Sequence, residues 1–207
     1  MSTEEIRSGL LRWTARHPDW TPEEGGAEGW DPEVASYAYA APDALVIFDP
    51  IAPPWDAIDP LVERLGPPHV LLTVFWHARD APSVLERYDG ARLWADVNQG
   101  EEVAKRVRIS DTFDPGDALP GGVEVQRPRE TVFWIPEHRA LLVGDVLLGA
   151  NGGVRVMPDS WLGPRPRAVF RADMERLTDL PIELLLLTHG HAVENGRDAL
   201  RIALANT

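Results

Sequence analysis

Three short apolar runs in this chain each end in a residue that can carry chemistry. Ala-Leu-Val-Ile-Phe at 44–48 runs into Asp49, Ala-Leu-Leu-Val at 140–143 into Gly144-Asp145, and four leucines at 184–187 into Thr188-His189-Gly190. Runs of four or five residues are strand length rather than helix length. The run at 44–48 is continuous rather than alternating, which suits a strand covered on both faces. The run at 69–73 reads the same way and feeds directly into Val74-Phe75-Trp76-His77-Ala78-Arg79-Asp80. Further strands are expected at 36–39, 92–95, 123–126 and 131–135.

Helical spacing places Trp55, Ile58, Val62 and Leu65 on one face of a segment over 55–65. Pro60 lies inside it, so its regular part is expected to begin there, with Asp59 as the cap. Helices are also expected over 82–88, 101–107, 167–177 and 197–205, with Asp80 capping the first of these. The span 149–166 holds enough proline and glycine to read as loop. The first thirty residues carry Trp13, His17, Trp20 and Trp30 among the breakers Pro18, Pro22 and Gly25-Gly26, and read as an ordered loop with aromatic anchors. Strands and helices in both halves point to an α+β protein, a sheet sandwich flanked by helices in one domain over 1–207.

Bulk properties narrow the function. There are 33 acidic and 20 basic residues, a net charge of −13, so a phosphate backbone is repelled and no nucleic-acid partner is expected. The short clusters Arg127-Pro128-Arg129 and Arg165/Arg167 are most simply solvated loops. No run of eighteen apolar residues exists, so no membrane span is expected. With an acidic start and no secretory pattern, the cytoplasm is the expected location. The chain has no cysteine, so any metal must be held by His, Asp or Glu. There is no Gly-x-Ser-x-Gly elbow and no phosphate-binding loop.

The order and spacing of the strand ends at Asp49, Gly144-Asp145 and His189-Gly190 resemble the metallo-β-lactamase superfamily, from about Asp49 to the C-terminus. The resemblance implies an αββα sandwich of two mixed sheets, with strand ends converging on a metal-holding cleft. It also implies a His-x-His-x-Asp-His run after the strand at 69–73, but those positions fall on Val74, Trp76, Ala78 and Arg79. A further family histidine falls on Gln126. Only the bridging aspartate, Asp145, and the last histidine, His189, remain, too few to hold two metals.

Each cleft candidate carries a bland reading beside the functional one. Asp49 is expected to be structural, accepting backbone N–H bonds from the metal-loop segment. Asp145 is expected to pair with Arg79, a guanidinium replacing the charge of the lost metal. His189 reads equally as a hydrogen-bonded relic and as a general base. His77 reads as a loop histidine bonded to backbone, or as a third ligand with Asp145 and His189. Trp76, Arg79, Gln126, His17 and Asp49 are the expected cleft residues, and residues 1–33 are expected to pack on or over it, with Trp13, His17 and Trp20 as candidate walls. His69 and His138 read as surface or strand-edge residues. The expected function is therefore small-molecule binding by a divergent, non-catalytic member, without a cofactor. The alternative is a hydrolase, either metal-free or with one weakly held zinc at His77, Asp145 and His189. A homodimer is left open.

Overall fold

The computed structural model describes residues 3–26, 28–150 and 152–206. The chain divides into two compact units, one of residues 1–15 and 35–124, the other of residues 16–34 and 125–207.

The first unit is built on a seven-stranded sheet in sequence order: β1 (Thr3–Arg7), β2 (Leu10–Arg16), β3 (Glu33–Ala40), β4 (Leu45–Phe48), β5 (His69–Leu71), β6 (Arg92–Asp96) and β7 (Asp111–Phe113). β1–β2 and β3–β4 are antiparallel, and β4 to β7 run parallel. Parallel neighbours need crossovers, and α1 (Trp55–Leu65), α2 (Ala81–Arg87) and α3 (Gly100–Ala104) supply them. Alternate residues of the parallel strands, Leu45 and Ile47, Val70 and Leu72, Leu93 and Ala95, form one core with Ile58, Val84 and Val103 of these helices. Val46, Phe48 and Leu71, on the opposite phase, are fully buried as well, as expected for continuous apolar runs.

The second unit holds a five-stranded sheet in the order β14-β13-β10-β9-β8: β8 (Glu124–Gln126), β9 (Val132–Ile135), β10 (Ala140–Val143), β13 (Leu184–Leu187) and β14 (Val193–Glu194). β10 pairs parallel with β13 and antiparallel with β9. α4 (Arg167–Leu177) and α5 (Gly196–Ala205) cover it, Phe170, Met174, Leu200 and Leu204 packing with Val132, Trp134, Leu141, Leu185 and Leu187. A separate hairpin joins β11 (Leu147–Ala150) to β12 (Gly153–Val156).

Several local expectations are corrected. Residues 3–16 form the β1–β2 hairpin rather than loop. Alternation in Leu11-Arg12-Trp13-Thr14-Ala15 carries this signal, and the breakers downstream mask it. The hairpin β11–β12 likewise occupies part of a segment read as loop. α1 starts at Trp55, ahead of Pro60, and Asp59 does not cap it; its carboxylate instead accepts from Arg87 Nη2 at 2.6 Å and from Tyr88 Oη at 2.5 Å. Asp80 makes no side-chain cap for α2 and accepts from Ala52 N at 2.6 Å. His138 is buried, not a surface residue.

Candidate functional site

In the first unit the candidate side chains sit just past the end of β5. Asp49, fully buried after β4, accepts from Thr73 N at 2.9 Å through Oδ1 and from the Thr73 hydroxyl at 2.6 Å through Oδ2. The same Oδ2 lies 3.0 Å from His77 Nδ1, which is also 2.9 Å from Thr73 Oγ1. Since the threonine proton goes to the carboxylate, Nδ1–H of His77 is the donor in both of its contacts. Nδ1 thus faces the carboxylate and Nε2 lies on the other side of the ring, the arrangement by which a carboxylate orients a metal-binding histidine. His77 is 1% exposed and held by a buried carboxylate. Asp49 does accept a backbone N–H, but it also orients His77.

His77 lies in a single 3-10 turn, Phe75–Ala78, closed by Arg79 at φ 28° and ψ −107°. That backbone region is costly for a non-glycine residue. In the same turn Trp76 is 41% exposed, while Arg79 is half-buried. Trp13 is no pocket wall: it is buried in the core of the first unit and donates Nε1–H to Ile51 O at 2.7 Å.

In the second unit Asp145 follows β10 and His189 follows β13, so the parallel pairing of these strands brings the two side chains together. His189 Nε2 lies 3.1 Å from Asp145 Oδ1, and the two residues are 7% and 8% exposed. Two glycines shape the turn. Gly149 N donates to His189 O at 2.6 Å, and a Cβ added to Gly190, which has φ 143°, would sit 2.9 Å from Gly149 Cα. Next to Asp145, Val146 N donates at 2.8 Å to the buried carboxylate of Glu130.

The segment 16–34 belongs to this unit, and its aromatic residues reach His189. Trp30 packs edge-on against His189 with ring centres 4.7 Å apart, and His17 packs edge-on against Trp30 at 5.1 Å. Trp20 Nε1 donates to Trp30 O at 2.9 Å, and Ser160 Oγ bonds Glu28 at 2.9 Å. Gln126 ends β8, half-buried. The arginine clusters are tied down rather than solvated: Arg129 donates to Trp161 O, Arg165 pairs with Asp173, and Arg167 pairs with Asp159.

Full-length structural matches follow from this arrangement of strands. A metallo-β-lactamase from Hirschia baltica matches with a TM-score of 0.72 at 12% identity, covering 99% of this chain and 96% of that one. The chain has the metallo-β-lactamase fold. A metallo-β-lactamase from Pontibacter korlensis matches with a TM-score of 0.70 at 13% identity, over 100% and 99% of the two chains. Another from Pseudomonas aeruginosa, in its mono-zinc form, matches with a TM-score of 0.71 at 10% identity, over 99% and 95%. No protein-family model matches the sequence, and no curated protein sequence is significantly similar to it.

On this metallo-β-lactamase fold, His77 in the first unit and Asp145 and His189 in the second are buried side chains of the kinds that can ligate a metal ion. The donor set fits one cation. Two nitrogens and one carboxylate oxygen, with a fourth position for water or substrate, make up a catalytic zinc sphere. The Asp145–His189 donor separation of 3.1 Å is close to the edge of a tetrahedron with zinc bonds of this type, about 3.3 Å. Sequence reasoning missed Thr73, Glu130, Gly149 and Trp30. Thr73 and Glu130 carry no motif, whereas the paired glycines at 149 and 190, each beside a strand end, were a usable signal.

Proposed function

We propose that the chain is a hydrolase for a small carbonyl substrate, using one weakly held divalent cation at His77, Asp145 and His189. The supporting observation is that two buried histidine nitrogens and one buried carboxylate oxygen supply the donor types and number of a catalytic zinc sphere. A cation bound there would polarise a carbonyl and lower the pKa of a water. Asp49 holds the His77 ring with Nε2 outward, and the Gly149–Gly190 contact holds the backbone of His189. Trp30 and His17 line the approach to His189 with aromatic surface, favouring a substrate with an apolar group next to its carbonyl. The mono-zinc form of the Pseudomonas aeruginosa protein is consistent with single-metal occupancy on this fold.

The second reading is a small-molecule binder without catalysis, and the loss of ligand-type residues at Val74, Trp76, Ala78, Arg79 and Gln126 favours it. Turnover of a panel of esters, lactones and β-lactams, with and without added zinc, separates the two. The hydrolase reading expects zinc-dependent turnover that falls on the order of a hundredfold or more in Asp145→Asn and His189→Ala. Turnover unaffected by zinc and by both substitutions contradicts it. Substrate binding without turnover in zinc-loaded protein supports the second reading.

A further inference from the structure

We propose that Gln99 is a positioning residue for His77; this rests on the reading of His77 as a metal ligand. Gln99 precedes α3, 22 residues along the chain from His77, and its side chain grips the turn that carries the histidine. Its Oε1 accepts from Phe75 N at 2.8 Å, and its Nε2 donates to Thr73 O at 3.2 Å. One amide thus closes over Val74, joining the residue that bonds Asp49 to the first residue of the His77 turn. Both ends of Gln99 are used, so no other side chain of the same length reproduces the clamp: glutamate lacks the donor, and methionine lacks the donor and offers only a weak sulfur acceptor.

The clamp has a specific task. The family pattern fills this turn with ligands that a bound metal would hold in place, whereas here the turn's one histidine, His77, stands between the family positions at Trp76 and Ala78 and the turn closes through a strained Arg79 at φ 28°. Backbone in such a region persists only where its surroundings over-determine it. Asp49 restrains the turn through Thr73 and the His77 ring, and Gln99 restrains it through Thr73 and Phe75. With either hold lost, Nε2 of His77 samples a range of directions and its contribution to a metal sphere weakens.

Gln99→Met and Gln99→Glu, each with two readouts, test this. Zinc affinity should fall about tenfold in Gln99→Met, as it does when an outer partner of a ligand is removed. In metal-free protein, exchange of the His77 Nδ1 proton, followed by NMR, should accelerate on the order of tenfold. Gln99→Glu, which keeps the acceptor for Phe75 N, should lie between Gln99→Met and the parent in both readouts. A Gln99→Met protein with parental exchange at His77 overturns the proposal, even if its overall stability has dropped. If Gln99→Met fails to fold, Gln99→Glu with parental exchange and parental zinc affinity overturns it. If the parent binds no zinc, the hydrolase reading fails on its own, while the exchange rate still decides the role of Gln99.

Discussion

Asp49 shows how a residue read as structural also serves the site. One carboxylate accepts from Thr73 N, Thr73 Oγ1 and His77 Nδ1 while fully buried. Asp49→Asn keeps the shape but sets an NH2 group against at least one of these donors. It should cost about 1–3 kcal/mol, read as a lower urea midpoint; an unchanged midpoint would mean the three bonds contribute nothing net. Gly190 is the counterpart on the His189 side. Gly190→Ala forces a Cβ to 2.9 Å from Gly149 Cα and should cost about 1–3 kcal/mol by overpacking, with weaker zinc binding because His189 is displaced. A variant as stable as the parent, with parental zinc affinity, would show that this turn relaxes freely. At this scale, sequence named Asp49, Asp145 and His189 because each follows an apolar run. It could not name Thr73 or Gln99, whose partners lie far along the chain, and it set His77 against backbone because nothing local reveals the reach of Asp49. The expected Arg79–Asp145 pair keeps its own test: Arg79→Ala should lower stability by roughly 3–5 kcal/mol if that pair is buried, and a parental urea midpoint would sink it.

Strands β10 and β13 and helix α4 have the bounds expected from sequence, and α1 keeps the full 55–65 extent of its periodicity despite Pro60, because unbroken apolar runs and three- and four-residue spacing are strong signals. The β1–β2 and β11–β12 hairpins were missed because proline and glycine nearby outweighed short alternation. The β5–β6 pair carries a pH-dependent contribution. Trp94 donates Nε1–H to His69 Nδ1 at 3.1 Å, which requires an unprotonated ring nitrogen. Burial, reinforced by Arg92 and opposed by Asp111 and Asp43, lowers the His69 pKa below its ordinary 6.5. The unfolded chain therefore takes up a proton more readily than the folded one. The contribution is complete above pH 6.5 and is lost as pH falls through the lower folded-state value. Between about pH 7.5 and pH 5, the urea midpoint of the parent should drop more than that of His69→Gln, which cannot titrate. Parallel pH profiles for the two proteins would contradict this.

For the whole molecule, the fold was legible and the chemistry only in part. Strand ends in the right order suffice to recognise the metallo-β-lactamase fold at identities of 10–16% to solved structures, because a fold tolerates substitution wherever burial and periodicity are kept. Among the described residues no helix is long and apolar enough to cross a membrane. The net charge of −13 favours attraction of a divalent cation over a polyanion. The sequence offers two readings of the site, an arginine in place of the metal or one zinc at His77, Asp145 and His189, because five ligand positions of the family pattern are filled by other residues. Zinc stoichiometry and affinity by titration of chelator-treated protein, checked by elemental analysis, bears on the central claim most directly. The account predicts one equivalent, bound reversibly, stripped by chelator and abolished in His189→Ala. Two equivalents, or no binding at millimolar zinc, would contradict it.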